Sequence, residues 1–160
     1  MIKVSIICVG KLKESYWKDA CAEYAKRMSR FADFSISEVE EEKLPDNPSQ
    51  SQIDNTLQKE GERILGKIPK GTQIAAMCIE GKVFSSGQLA DVLEYNASYG
   101  SGNIAFVIGG SWGLSDEVKK AADIKMSMSK MTFPHQLARV MLCEQIYRGF
   151  NILSHTKYHK

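Results

Sequence analysis

Two stretches decide how this chain reads: Ile108-Gly109-Gly110-Ser111-Trp112-Gly113-Leu114 and Ser127-Met128-Ser129-Lys130-Met131-Thr132-Phe133-Pro134-His135-Gln136. The first is a glycine-rich turn at the end of the hydrophobic run 103–108. The second carries small, polar and thioether side chains just before a long apolar stretch. Both read as loops at the C-terminal ends of strands, which is where open α/β sheets bind small ligands. Together they predict a nucleotide-like cofactor held mainly by backbone.

Working outward from these loops, apolar runs at 2–9, 34–39, 73–79, 103–108 and 124–128 read as five strands. Between them lie stretches with apolar residues at helical spacing. Trp17, Ala20, Cys21, Tyr24, Met28 and Phe31 mark the first helix. Ile53, Leu57, Ile64, Leu65 and Ile68 mark the second, which Pro69-Lys70-Gly71 ends. Ser85 or Ser86 is placed to cap a third helix, and Ser115 a short fourth one. Pro134 opens a final helix running to about residue 153, as proline is tolerated in a first turn. Glu80-Gly81-Lys82 reads as a turn, and the acids before Pro45-Asp46-Asn47-Pro48 as a loop. Alternating strands and helices predict an α/β fold, a mostly parallel five-stranded sheet with helices on both faces, in a single domain over 1–160.

The chain has 160 residues, 43% of them apolar and 25% charged, which is ordinary for a globular domain. No apolar run approaches a membrane span, and the N-terminus lacks the pattern of a signal peptide. A cytoplasmic protein without membrane association is expected. Cys8, Cys21, Cys78 and Cys143 are scattered through apolar runs without C-x-x-C spacing, which argues for small core residues and against a metal site. Net charge is only +2, but residues 1–30 carry seven of the basic side chains. They form a basic patch fit for phosphates, or simply a solvated helix face; the second is the plainer reading.

The last helix is apolar almost all round, with Glu144, Arg148 and Asn151 on one narrow stripe. Such a helix is buried on more than one side. A partner subunit is the simplest cover for the side away from the sheet, with deep burial inside one chain as the alternative. Arg139 falls on the apolar side, where an unpaired charge is costly. It reads equally as a structural ion pair and as a cation aimed at a ligand or an RNA phosphate.

The glycine turn matches neither a dinucleotide-binding fingerprint nor a P-loop. Metalloprotease and nucleophile-elbow signatures are absent, and the three histidines lack metal-ligand spacing. A backbone-lined pocket with one arginine, a few histidines and several lysines suits group transfer from an activated cofactor, where positioning does most of the work. A binding module without enzymatic activity is the other class these residues allow.

Residues 108–114, residues 127–136 and the terminal Tyr158-His159-Lys160 resemble the ribosomal RNA large-subunit methyltransferase H family, small SPOUT-type methyltransferases. Val9-Gly10-Lys11-Leu12-Lys13, Lys59-Glu60-Gly61 and Ile79-x-Gly81-Lys82 extend the likeness over the whole chain. The resemblance implies a C-terminal trefoil knot, S-adenosylmethionine as methyl donor, and a homodimer with the site at the subunit interface. It also implies a substrate: a pseudouridine of 23S rRNA in the assembled ribosome, methylated at N3. A methyltransferase of the same fold acting on transfer RNA is the alternative within the fold.

By position, the resemblance assigns cofactor contacts to Met77, Gly109 and the run Met128, Ser129, Lys130, Met131, Thr132 and Phe133. Met77 stands where the family usually has leucine, a nearly volume-conserving exchange. His159, reaching in from the partner's tail, and His135 become candidates for the base or orienting group that handles the N3 proton. Tyr158 becomes a candidate for stacking on a base, and Arg139 for fixing the RNA.

Overall fold

Strand β1 (Lys3–Val9) and strand β4 (Asn103–Ile108) are apolar at nearly every position because both of their faces are covered. Successive side chains of a strand point to opposite faces. Val4, Ile6, Cys8, Ile104, Phe106 and Ile108 enter one core, while Ile7, Val9, Ala105 and Val107 enter the other. The coordinates, a computed structural model, describe residues 1–155. β2 (Asp33–Val39), β3 (Gln73–Val83) and β5 (Ile124–Ser127) complete a sheet of order β2-β1-β4-β3-β5, with every pairing parallel.

Parallel strands need helical crossovers, and these cover both faces as expected. On the first face lie α1 (Ser15–Met28), α3 (Ser86–Ser98) and α5 (His135–Leu153), contributing Cys21, Met28, Leu93, Leu142, Ile146 and Phe150 to the larger core. On the second lie α2 (Gln50–Gly66) and α4 (Asp116–Ala121), contributing Ile64 and Val118. Ser85 and Ser115 cap α3 and α4 as expected, accepting from the backbone N–H of Gln88 and Val118.

α5 is the helix whose surroundings the sequence left open. It packs against α1 and α3 of its own chain, with Phe31 stacked on Phe150 at 5.7 Å between ring centroids. No residue of α5 is exposed. Eight of its nineteen residues are buried and the rest, among them Leu137, Val140, Met141, Ile152 and Leu153, are only partly buried, so its own chain covers the apolar surface only in part.

Two other expectations change. Ser49 and Gln52 form a reciprocal capping box, so α2 begins before the Ile53 that marks its apolar face. And Glu80-Gly81-Lys82 is no free turn: β3 runs through it to Val83 with an irregularity in its pairing to β5.

Candidate functional site

In the sheet order, β3 lies between β4 and β5. The loops leaving these three strands therefore meet at one end of the sheet. They enclose a cavity of about 510 Å³, within the range of pockets for small organic ligands.

The first wall is the glycine turn after β4. Gly113 donates its N–H to the Gly110 carbonyl at 3.1 Å, and its φ of +85° favours glycine. A Cβ built on Gly109 would lie 2.3 Å from the Gly113 carbonyl oxygen. Glycine at 109 is thus required by the turn's own closure. Ser115 then caps α4, whose Val118 is fully buried, and this fixes Lys119 beside the cavity.

The second wall is the excursion in β3. Met77 and Lys82 both pair with Met126 of β5, so residues 78–81 bulge out between them. A Cβ on Gly81 would come within 2.7 Å of Met126 backbone, so only glycine lets the bulge sit this close to β5. The bulge brings Cys78, Ile79 and Glu80 to the cavity.

The third wall is the loop after β5. Ser127 donates its hydroxyl to the Ser129 carbonyl at 2.9 Å, and the Ser129 hydroxyl accepts from Met131 N–H at 3.1 Å. These local bonds, of the kind serine uses in turns, fold the loop around the cavity mouth. Met128, Met131 and Phe133 face the cavity alongside Met77.

The structure thus gathers Met77, Gly109, Met128, Ser129, Met131, Thr132, Phe133 and His135 around one cavity. Lys130 is exposed and does not line it. Arg139 does not line it either. Its guanidinium is buried, donating to Glu38 Oε2 at 2.6 Å and to the Gly10 carbonyl at 3.2 Å. Of the two roles its sequence position allowed, the structural ion pair is the one seen. Tyr158 and His159 lie outside the described residues. The basic side chains of residues 1–30 are all exposed, and Arg27 is joined to Glu23 at 3.0 Å.

The sequence reading missed Cys78, Glu80 and Lys119. Lys119 Nζ lies 2.6 Å from Glu80 Oε1. The bond to Lys119 holds the Glu80 carboxyl below its usual range and raises the lysine in turn. Burial, with Glu80 nearby, pushes the Cys78 thiol up. The available signal was the isolated Gly81 inside a strand pattern, which is characteristic of a bulge. Among the described residues no group of three or more His, Cys, Asp or Glu side chains is placed to hold a metal ion, and no helix is long and apolar enough to cross a membrane.

Comparison with known proteins agrees with this geometry. A family model described as "Predicted SPOUT methyltransferase" matches residues 2–159. The chain is 52% identical to the ribosomal RNA large subunit methyltransferase H of Exiguobacterium sp. strain AT1b, over 99% of this chain and all of that one. It is 50% identical to the protein of that name from Streptococcus mutans serotype c, and 47% to that from Lactococcus lactis subsp. cremoris, with the same coverage. Among solved structures, the SpoU methyltransferase AviRb of Streptomyces viridochromogenes overlaps at a TM-score of 0.47 and 11% identity, covering 96% of this chain and 61% of that one, too loosely to bear on the assignment. The match over nearly the whole chain places this protein among the SPOUT methyltransferases, in the ribosomal RNA large subunit methyltransferase H family.

Proposed function

We propose that this chain transfers a methyl group from S-adenosylmethionine to N3 of a pseudouridine in 23S rRNA of the assembled ribosome, acting as a homodimer in the cytoplasm. The observation that carries the reading is the cavity at the ends of β3, β4 and β5. It is lined by both loop motifs in a chain of a methyltransferase family.

The cavity fits the cofactor in three respects. Its volume suits a nucleoside with a short tail. The side chains of Met77, Met128 and Phe133 offer apolar and polarizable surface for a flat heteroaromatic ring. The backbone of 109–113 and 127–133 supplies donors and acceptors for its edges. Met77, Gly109 and the cavity-lining members of the 128–133 run would hold it; exposed Lys130 belongs to the rim.

When bound, the cofactor supplies an already activated methyl group, so this chain's own task is alignment and control of one proton. His135 opens α5 at the cavity and is placed to orient the acceptor base or take its N3 proton. His159 and Tyr158 are the tail's candidates for completing a site, as base and as stacking surface. The exposed Ile79, Trp112 and Met131 ring the mouth. Apolar side chains left exposed together mark an interaction surface, which supports a second subunit closing over the site. Arg139 enters this reading as the residue that positions the 10–12 loop, with the exposed Lys11 and Lys13 beside it for rRNA phosphates. The family's trefoil knot belongs to the same reading, formed where the chain passes from the glycine turn to α5.

The test is transfer of tritium from methyl-labelled S-adenosylmethionine to intact ribosomes, free 23S rRNA and transfer RNA. Label in intact ribosomes supports the reading. Label in transfer RNA alone assigns a different substrate, and cofactor binding without transfer to any RNA makes the chain a binding module.

A further inference from the structure

The β3 bulge and α4 together bring a single ion pair to a cavity that is otherwise apolar side chain, hydroxyl, thiol, imidazole and backbone. Among the residues lining it, Glu80 and Lys119 are the only Asp, Glu, Lys or Arg. Their contact is 2.6 Å, yet the side chains remain 48% and 25% exposed. A pair this exposed adds little to stability, about 1 kcal/mol at most. Its placement, however, is closely controlled. Gly81 must lack a side chain for the bulge to lie against Met126, and Lys119 follows the fully buried Val118 on a helix capped by Ser115. Two walls of the cavity thus each present one charge, of opposite sign, at the same place.

We infer that Glu80 and Lys119 read the amino-acid end of the cofactor, Glu80 facing its ammonium group and Lys119 its carboxylate. This rests on the cofactor reading given above and extends it to the one part of the molecule that backbone and apolar walls do not serve. An α-amino acid carries opposite charges only a few bonds apart. A pre-aligned acid and base meet both at once, exchanging one ion pair within the protein for two across the interface. The exchange is cheap because the pair is partly solvated before it opens. Glu80, a half-exposed carboxylate held below its usual range by Lys119, presents an acceptor and no donor at neutral pH.

The pair then discriminates between ligands that share the nucleoside and differ in the tail. Calorimetric titration of the full chain with S-adenosylhomocysteine and with 5′-methylthioadenosine, which keeps the adenosine thioether and lacks the amino acid, separates the two parts. Lys119→Met and Glu80→Gln are each expected to weaken S-adenosylhomocysteine roughly tenfold or more, the scale of one charge-assisted hydrogen bond. Affinity for 5′-methylthioadenosine should change by less than about twofold. The double variant E80K/K119E restores a pair with its sense reversed. It should keep the wild-type melting temperature without regaining S-adenosylhomocysteine affinity.

Equal weakening of both ligands would overturn the inference, because the pair would then shape the pocket or hold the ribose. Unchanged affinity for S-adenosylhomocysteine in the single variants would overturn it as well, and so would recovery in the reversed pair. If the wild-type chain bound neither ligand, the cofactor reading itself would fall and this inference with it. That result is distinct from the others because it appears before any substitution is made.

Discussion

Arg139 on α5 and Glu38 on β2, 101 residues apart in sequence, meet at 2.6 Å at one end of the sheet. Glu38 Oε2 also accepts from Leu12 N–H at 3.2 Å, and Arg139 donates to the Gly10 carbonyl. The pair thus ties the loop after β1 to the last helix. Arg139 is buried and Glu38 is exposed, so removing Glu38 strands a buried cation, whereas removing Arg139 leaves a carboxylate that water reaches. Glu38→Gln is expected to lower the unfolding free energy by about 2–3 kcal/mol, because it leaves the buried Arg139 guanidinium without its counter-charge, and somewhat less than for a fully buried pair because the carboxylate it replaces is a third exposed. Arg139→Met with Glu38→Gln should recover part of that loss. Urea unfolding of the two variants checks this; equal losses in both would show that the pair's coupling is negligible.

Glu60 gives a pH signature. It is 5% exposed on α2, accepts from Glu42 N–H at 3.0 Å, and burial raises its pKa above the ordinary range. A carboxyl group with a raised pKa binds its proton more tightly in the folded chain. Its favourable contribution is therefore full below the unfolded-state pKa, about 4.3, and is lost as pH rises through the higher folded value. Glu60→Gln keeps an acceptor for Glu42 and removes the titration. Relative to the wild type, the variant should gain stability as pH rises from 4 to 8, by denaturant midpoints. A stability difference independent of pH would contradict this.

Gly81 separates the cavity wall from the rest of the fold. Gly81→Ala forces the bulge away from Met126, whose backbone would sit 2.7 Å from the new Cβ. Cofactor affinity by calorimetry is expected to fall at least tenfold, the order of one lost charged contact, with only a modest drop in melting temperature. Gly109→Ala is the less informative variant, because its Cβ would strike the carbonyl oxygen of Gly113 and deform the turn itself. Wild-type affinity in Gly81→Ala would remove the bulge from the site.

A deletion confined to the tail tests the proposed chemistry with every described cavity-lining residue left in place. Deleting Tyr158, His159 and Lys160 should abolish methyl transfer while leaving cofactor affinity within about twofold of wild type. Unimpaired turnover on ribosomes would exclude the tail from the reaction.

The parts legible in the sequence were those set by local chemistry. Ser85 and Ser115 announced their helices because capping is decided within four residues. The loops at 108–114 and 127–136 could be placed at strand ends because glycine, serine and proline punctuate apolar runs. The bulge was hidden because Glu80-Gly81-Lys82 is also good turn chemistry, and only pairing with Met126 decides between the two. The Glu80–Lys119 contact joins different elements, which no spacing rule reaches. The helical wheel of α5 pointed to a helix buried on more than one side, but a wheel carries no information on which of its own helices, or what else, supplies the cover. Arg139 was ambiguous for the same reason, its partner Glu38 lying on β2 at the far end of the sequence.

The central claim is methyl transfer to one atom of one nucleotide. Its most direct test is to incubate ribosomes lacking the modification with the chain and trideuteromethyl-labelled S-adenosylmethionine. The 23S rRNA is then digested and its nucleosides read by mass spectrometry. A single labelled product is predicted, pseudouridine carrying the heavy methyl group at N3. Label on a ribose hydroxyl, on another base or in transfer RNA, or no label at all, would contradict the account.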